Sequence, residues 1–486
     1  MRILQYLTSA FTAIAFLSSS ACAQFFPSSN ESAPLATRPP VPQWGDTLPP
    51  PAFRINDFGE PSDGMFFLAN VDYNTFTYSS YILIVDNQGE IIQKKYVPAV
   101  VTDFKLHENG ELSYFNTMSN EHIVVDSLFN FKRTIKASDG YKTDNHEIHL
   151  LKNGHVILLA KEDIIKDLTA VIPGGKQETK ITGNVVQEFD ENGVKVFEWR
   201  SNDFITIHDA THEPLDCDYI DLTHMNTIEI DHDNNLLLSS RNLDEITKVN
   251  KETGKIMWRF GGKNNQFTLI GDTVWFSRQH SIRVLPNGHY ILFDNGNYNI
   301  PQVSRVCEYV IDTAAMTATL VWQYRRTPDI YAYAMGSVQY LPATDRFIIG
   351  WGTNTDAAIS EVDREGRTHV ELKMSGSNTS YRVFKFPWKT PTQSAVGKDA
   401  ARKENITIFP NPASAQTSVI YSLATVSDAT LTVEDNLGRT VKTVDLGVQQ
   451  SGVHSFTLPV SAFARGVYSC KLQTSTGVKV SKLVVQ

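Results

Sequence analysis

The chain has 486 residues, enough for roughly two to three domains, and its 44 basic and 53 acidic side chains leave a formal net charge of −9. This mild acidity gives no electrostatic reason to bind nucleic acid or anionic lipid, and 41% hydrophobic against 20% charged residues excludes a disordered chain. Near-average glycine and proline contents exclude a collagen-like chain, and abundant Thr, Val, Ile, Tyr and Phe predict an all-β protein.

Residues 1–23 have the features of a secretory signal peptide. Arg2 supplies a positive charge, residues 4–17 are mostly apolar, and Ala21-Cys22-Ala23 is typical of a cleavage site. Lipidation of Cys22 is an alternative, but the preceding Ser-Ser-Ala is a poor lipobox, so cleavage after Ala23 is favoured. No other window is apolar enough for a membrane helix, so we expect no membrane span in the mature protein.

The next segments differ sharply in composition. Residues 24–62 are rich in proline and lack a strand pattern, which predicts an extended leader. Residues 63–388 contain a repeat, and residues 389–404 lack apolar periodicity, as expected of a linker. Residues 405–486 again have the pattern of short strands, with a different rhythm.

The repeat consists of two successive β-hairpins. The first hairpin is clearest in HEIHLLKNGHVILLA from His146 and HSIRVLPNGHYILFD from His280, each with an Asn-Gly turn. About six units of four strands fit the segment, which predicts a six-bladed β-propeller rather than a solenoid. The strand YRVFKFPW (381–388) stands alone and is predicted to complete the first blade.

Three cysteines follow the predicted cleavage site: Cys217, Cys307 and Cys470. An odd number at wide spacing is not typical of a disulfide framework, and the chain has no CxxC pair for zinc. Buried free thiols are therefore the favoured interpretation.

Histidines recur at equivalent positions of three predicted blades. His146, His224 and His280 each begin the first strand of a blade, and Arg241 ends the second strand of the His224 blade. In a propeller, the first strands line the central channel, and both positions meet at one mouth. We therefore expect three imidazoles and one guanidinium to share a site, whereas His155 lies at a far turn.

Two kinds of ligand fit such a site. Three histidines can hold zinc with an open fourth position, but a guanidinium beside a dication is repulsive. Arginine with imidazoles suits a tetrahedral oxyanion instead, and a histidine can itself act as a nucleophile. No metal and no cofactor is therefore expected.

The order of short motifs resembles a known family. HxN at His224, SSR at Arg241, WRFGGK, QH at His280 and FDNG follow one another as in the bacterial arylsulfate sulfotransferases and the wider arylsulfotransferase family. The resemblance implies a six-bladed propeller that moves a sulfuryl group between phenols through a sulfohistidine, by a ping-pong mechanism without a nucleotide sulfate donor. It implies His280 as nucleophile, His224 and Arg241 as the sulfuryl-binding pair, His146 as a further site residue and Asn226 as an additional contact.

Two other functions stay open on the sequence: a non-catalytic secreted propeller that binds a ligand, and a metal-dependent propeller hydrolase. The presence of all three histidines and Arg241 weighs against a binding module.

The C-terminal segment carries a second resemblance. ITIFPNPAS (406–414), GVY (466–468) and a valine-rich last strand are similar to the C-terminal sorting domain of type IX secretion substrates. The segment is predicted to be a small β-sandwich of six or seven strands. The resemblance implies the type IX secretion machinery as a partner and export through the periplasm of a Gram-negative bacterium to the cell surface or medium.

Overall fold

A computed structural model of the chain describes residues 49–72, 80–389, 405–409, 411–423, 426–449 and 452–486. The predicted signal peptide, most of the leader and nearly all of the linker lie outside these residues. The chain divides after Trp388 into two compact units. The described residues form strands and three single-turn 3-10 helices, which confirms the all-β prediction. Across these same ranges, no helix has the length and apolarity needed to traverse a bilayer.

The first unit consists of short strands in its described residues. In chain order they are β1 (Phe53–Phe58), β2 (Met65–Asp72), β3 (Ser80–Val85), β4 (Ile91–Val97), β5 (Val101–Leu106), β6 (Leu112–Asn116), β7 (Glu121–Val125), β8 (Phe131–Ile135), β9 (Lys142–Leu150), β10 (Val156–Lys166), β11 (Thr179–Phe189), β12 (Lys195–Arg200), β13 (Tyr219–Asp221), β14 (Met225–Ile230), β15 (Leu236–Ser240), β16 (Glu245–Val249), β17 (Ile256–Gly261), β18 (Thr268–Ile270), β19 (His280–Val284), β20 (Tyr290–Asp294), β21 (Arg305–Asp312), β22 (Thr317–Tyr324), β23 (Ser337–Leu341), β24 (Arg346–Gly350), β25 (Ile359–Asp363), β26 (Thr368–Met374) and β27 (Asn378–Phe386). The 3-10 helices are Ser201–Asp203, Ile207–Asp209 and Arg241–Leu243.

These strands form six sheets in the described part of the unit. Sheet 1 has the order β27-β2-β3-β4, sheet 2 β5-β6-β7-β8, sheet 3 β9-β10-β11-β12 and sheet 4 β14-β15-β16-β17. Sheet 5 has the order β19-β20-β21-β22-β18 and sheet 6 β23-β24-β25-β26-β1, while β13 runs parallel to β11 at sheet 3. Each sheet therefore uses consecutive strands joined by antiparallel hairpins, apart from β27, β1, β13 and β18.

The Asn-Gly turns close the first hairpins as predicted. β9 pairs with β10 and β19 with β20, both antiparallel. Gly154 and Gly288 follow the asparagines with φ of 85° and 83°, a conformation that strains residues with a Cβ.

The first strands of the six sheets contact one another in a cycle: β27 with β5, β5 with β9, β9 with β14, β14 with β19, β19 with β23, and β23 with β27. Apolar side chains fill the spaces between successive sheets. One cluster joins Phe293 of sheet 5 to Phe347 of sheet 6, and another joins Trp199 of sheet 3 to Leu238 of sheet 4. Successive sheets are therefore joined by shared apolar clusters, and their first strands contact one another.

Two strands join distant ends of the unit. The strand predicted at residues 381–388 is present as β27, and it pairs antiparallel with β2 at the inner edge of sheet 1. The prediction of a leader without strands through residue 62 is wrong at β1, which pairs antiparallel with β26 at the outer edge of sheet 6. Five of the six residues of β1 are exposed, and the apolar–polar alternation of this edge strand covers only Phe53 to Asn56, within a proline-rich segment.

The second unit has its own core. Its strands are β28 (Asn405–Phe409), β29 (Gln416–Leu423), β30 (Ser427–Glu434), β31 (Thr440–Gln449), β32 (Gly452–Pro459), β33 (Gly466–Thr474) and β34 (Gly477–Val485). They form a sheet with the order β28-β29-β32 and a sheet with the order β31-β30-β33-β34. Val419 and Leu458 of one sheet and Leu431 and Leu472 of the other belong to the same buried apolar cluster.

The cysteines differ from expectation at one position. Cys307 and Cys470 are buried free thiols, as predicted. Cys217 is disulfide-bonded, so the prediction of a free thiol is wrong there. An odd number of cysteines after the predicted cleavage site had counted against any pairing.

Candidate active site

Irregular pairing in three first strands positions the predicted histidines. His280 begins β19 and His224 directly precedes β14, as predicted, but His146 is the fifth residue of β9 rather than its first. The register between β9 and β10 shifts between Leu158 and Ala160, opposite the segment that contains His146. The registers of β14 with β15 and of β19 with β20 also shift, immediately after His224 and His280. Such bulges turn a side chain out of the regular alternation of a strand. Here they occur at the same end of three neighbouring sheets.

Two of the histidines are held by carboxylates. Nδ1 of His146 lies 2.5 Å from Oδ1 of Asp144, and Nδ1 of His224 lies 2.6 Å from Oδ2 of Asp221. The centroids of the two imidazole rings are 4.9 Å apart. Because Nδ1 of each ring is engaged, Nε2 is the nitrogen left for a ligand.

Lys161 interacts with the carboxylates that hold His146 and His224. Its Nζ is 3.2 Å from Oδ2 of Asp144. Burial acts to lower the pKa of Lys161, but the charges of Asp144 and then Asp221 outweigh it and raise that pKa. The lysine therefore remains a cation that offsets the two carboxylates.

His280 is held by neutral groups instead. Its Nδ1 lies 2.7 Å from Oδ1 of Asn295 and 3.0 Å from the carbonyl oxygen of Arg278. The side chain is buried, and burial, followed by the positive charge of Arg241, holds the pKa of His280 well below its ordinary value. The ring is therefore neutral at pH 7.

Arg241 begins the 3-10 helix that follows β15. Its backbone N–H donates to the carbonyl oxygen of His224 (3.2 Å), and its Nη1 donates to Oδ1 of Asn242 (3.0 Å). Burial and the neighbouring Arg278 lower the pKa of Arg241 to about 10, so the guanidinium is still a cation at pH 7.

A small cavity lies where these side chains meet. It is lined by His146, His224, Arg241, His280, Ala334, Met335 and Tyr381. The structure thus brings together all four residues that the sequence assigned to catalysis. A larger cavity of about 320 Å³, bordered by residues 164–171 and 202–208, contains none of the predicted site residues.

The fifth predicted residue, Asn226, does not line the cavity. Its buried side chain donates from Nδ2 to the carbonyl oxygen of Gln279 (2.8 Å), and its Oδ1 accepts from Oγ1 of Thr227 (3.1 Å). The amide thereby holds the residue that precedes His280. His155, at the far turn, is instead paired with Glu188 at 2.8 Å.

Tyr381 is a site residue that the sequence did not indicate. Its ring centroid is 5.6 Å from that of His146 and 6.5 Å from that of His280. Burial raises the pKa of Tyr381 above its ordinary value, so the hydroxyl stays neutral. The only signal in the sequence is its place at the start of the predicted strand YRVFKFPW.

The chemistry of the donor set favours an anion over a metal. Across the described ranges, no group of three or more His, Cys, Asp or Glu side chains is arranged to hold a metal ion. A guanidinium and three imidazoles line one cavity, and donors of this kind suit a compact oxyanion.

Comparison with known proteins gives two family matches. Residues 56–384 match the family model described as Arylsulfotransferase (ASST), and residues 407–486 match the one described as Secretion system C-terminal sorting domain. No curated protein matches the chain significantly.

The solved structures that match this chain are remote. A protein of unknown function from Bacteroides caccae has 12% identity and a TM-score of 0.43, with 67% of this chain and all of that one covered. A catalytically inactive variant of virginiamycin B lyase from Staphylococcus aureus has 10% identity and a TM-score of 0.35, with 76% and 96% covered. A gluconolactonase from Xanthomonas campestris has 11% identity and a TM-score of 0.35, with 67% and 95% covered. These values support no conclusion about activity.

Proposed function

We propose, because the chain belongs to the arylsulfotransferase family, that it is an aryl-sulfate sulfotransferase whose covalent intermediate forms on His280. The enzyme moves a sulfuryl group from a phenolic sulfate ester to a phenol without a nucleotide sulfate donor. The observation that carries the proposal is the single cavity shared by His146, His224, His280 and Arg241.

The first half-reaction begins with the neutral imidazole. Nε2 of His280 attacks sulfur, the N–S bond forms, and the S–O bond to the aryl group breaks with its electron pair on the phenolate oxygen. In the second half-reaction the oxygen of an acceptor phenol attacks the same sulfur and the N–S bond breaks. One aryl group at a time occupies the site, which gives ping-pong kinetics.

The other polar groups have two roles: one binds the charged sulfuryl oxygens, and another transfers the phenol proton. Arg241 binds the sulfuryl oxygens, whose negative charge is present throughout the transfer. In the first half-reaction Nε2 of His146 gives a proton to the departing phenolate, and in the second half-reaction the same nitrogen takes a proton from the acceptor phenol, while His224, whose pKa is lowered by burial to about 4, stays neutral. Phenol has an ordinary pKa of about 10, so its departure gains from this proton.

The described sheets fit a six-bladed propeller. We take sheets 1 to 6 as its blades, with β27 closing the first blade and β1 forming the outer edge of the last. The two sheets of residues 405–486 fit a small β-sandwich that is recognised by the type IX secretion machinery.

The covalent intermediate provides the decisive test. Incubation with an aryl sulfate and no acceptor should add one sulfuryl group, roughly 80 Da, as expected for a covalent nucleophile, and a phenol should remove it. His280→Ala should abolish adduct and turnover. The matched control is His155→Ala, because His155 lies at a far turn and pairs with Glu188, so it should keep both. An active enzyme that never forms the adduct would contradict the mechanism.

The same assay separates the alternatives. A metal-dependent hydrolase would lose activity with a chelator and would release sulfate without a phenol. A binding module would show neither reaction.

Export is tested in the native host. The sorting domain implies recognition by the secretion machinery and release at the cell surface or into the medium. Deleting residues 405–486 should therefore leave the protein in the periplasm. Normal appearance of the truncated protein outside the cell would contradict the sorting role.

A further inference from the structure

We propose that Asn295 is a positioning residue that fixes the tautomer of His280, so that Nδ1 carries the proton and the lone pair of Nε2 is available to the substrate. The inference rests on the proposed function of His280 as the nucleophile. It assigns a role within that function to a residue outside the cavity.

The orientation of the Asn295 amide follows from its two donors. Nδ2 of Asn295 lies 2.7 Å from the carbonyl oxygen of Ala332 and 3.0 Å from that of Met335. Both amide hydrogens are thus used by acceptors that cannot donate. A flipped amide would place its oxygen against two carbonyl oxygens, so Oδ1 must face His280.

The orientation of the amide then decides which nitrogen of His280 is protonated. Nδ1 has two neighbours within hydrogen-bond distance, Oδ1 of Asn295 at 2.7 Å and the carbonyl oxygen of Arg278 at 3.0 Å. Both neighbours accept hydrogen bonds and neither can donate one. The proton therefore lies on Nδ1, and the neutral ring has its lone pair on Nε2.

A neutral acceptor suits a nucleophile better than a carboxylate does. A carboxylate on Nδ1 acts to stabilise a doubly protonated ring, which has no lone pair to attack with; Asp221 acts in this way on His224, although burial outweighs it and lowers the pKa of His224 to about 4. The groups that otherwise face His280 are Arg241, His146, His224 and Tyr381. None of these four side chains is an anion, and the positive charge of Arg241 opposes protonation of the His280 ring.

The same contact serves the intermediate. When Nε2 bonds to sulfur, the ring becomes a cation and keeps the proton on Nδ1. Oδ1 of Asn295 then accepts a charge-assisted hydrogen bond, which is stronger than the bond to the neutral ring. No further proton moves at Nδ1 in either half-reaction.

The tautomer can be measured without turnover. We would record nitrogen–proton correlation spectra of the full chain labelled with 15N-histidine and assign His280 by its loss in His280→Gln. We expect a pyrrole-type Nδ1 and a pyridine-type Nε2 in the wild type. A pyrrole-type Nε2 would overturn the inference even if the enzyme were fully active, and the spectrum stays informative if the enzyme were inactive.

Variants distinguish two possible roles of Asn295: fixing the tautomer of His280 and anchoring the loop of residues 332–335. Asn295→Ala leaves Nδ1 only the longer contact with the carbonyl oxygen of Arg278, so it should move part of the population to the other tautomer and lower kcat by roughly 10- to 100-fold, as loss of a supporting partner does elsewhere. Asn295→Asp keeps an acceptor but loses both donors, so it should keep the proton on Nδ1 and exceed the alanine variant in kcat at pH 9. Asn297→Ala, which loses a bond to the carbonyl oxygen of Tyr333 in the same loop, should change neither tautomer nor kcat by more than about twofold.

Two results would overturn the role of Asn295. One is Asn295→Ala with an unchanged tautomer, whatever its rate. The other is equal slowing of the alanine and aspartate variants, because that pattern would assign the effect to the loop. If the alanine variant did not fold, the wild-type spectrum and the aspartate variant would still decide.

Discussion

Replacing Arg241 by methionine removes the guanidinium that lines the cavity and keeps much of the side-chain volume. An arginine side chain has five N–H donors. Among the described residues, Nη1 of Arg241 donates to Oδ1 of Asn242, which leaves up to four donors for a ligand. We therefore expect the substitution to act on binding of the sulfuryl group rather than on the fold.

The magnitude follows from the bonds that the sulfuryl oxygens would lose. A hydrogen bond to a charged group contributes about 1.5–3 kcal/mol, and loss of one donor from an oxyanion site typically costs about 10²- to 10³-fold in rate. Arg241→Met should lower kcat/KM by that factor. Arg241→Lys should lose less, because it keeps the charge but not the planar fork.

The assay is the initial rate with a chromogenic aryl sulfate and a phenol acceptor, with the melting temperature recorded for every variant. Arg278→Met is the matched control, because Arg278 is already engaged by Glu213 at 2.5 Å and Tyr298 at 3.2 Å. It should lose less than Arg241→Met. If Arg241→Met kept kcat/KM within about threefold of the wild type with an unchanged fold, Arg241 would not be a sulfuryl-binding residue.

Further predictions concern the pH profile and the buried charges. Burial and Arg241 lower the pKa of His280, and a lowered pKa keeps a base neutral to lower pH, so kcat/KM should stay level from pH 8 down to about 5.5. A half-maximal rate near pH 6.5 would contradict this assignment. Arg382→Met should lower the free energy of unfolding in urea by about 3 kcal/mol or more, because the fully buried Arg382 pairs with Asp103 (2.9 Å) and Glu147 (2.8 Å). Arg367→Met, at an exposed ion pair, should leave the unfolding midpoint unchanged, and an equal loss in both variants would refute the reasoning.

The fold was predictable where the hairpins repeat a local pattern. The Asn-Gly turns and the apolar strands beside them are contained within about 15 residues, so β9–β10 and β19–β20 are readable from the sequence. The strand β1 was not readable, because most of its residues face solvent and its partner β26 lies about 300 residues away. A sequence pattern reports burial, and an exposed edge strand has little of it.

The site was predictable only where its residues follow from the repeat. Histidines at equivalent blade positions identified the residues that meet in the cavity, since the repeat itself brings them together. Tyr381 reaches the same cavity from a strand far along the chain, and Asn295 acts through the orientation of an amide. Both depend on tertiary contacts, which spacing along the chain does not encode.

The pairing of β27 with β2 also affects when the site can form during synthesis of the chain. His146, His224, Arg241 and His280 are all synthesised before the strand that carries Tyr381. A chain that ends before residue 378 would hold every group assigned to the transfer chemistry, yet its cavity would lack one wall and its first sheet would lack its innermost strand. Chains that end before residue 378 should therefore be inactive, so any turnover of an aryl sulfate would report molecules that contain β27. Recovery of activity during refolding would then report the pairing of β27 with β2, which brings Tyr381 to the cavity.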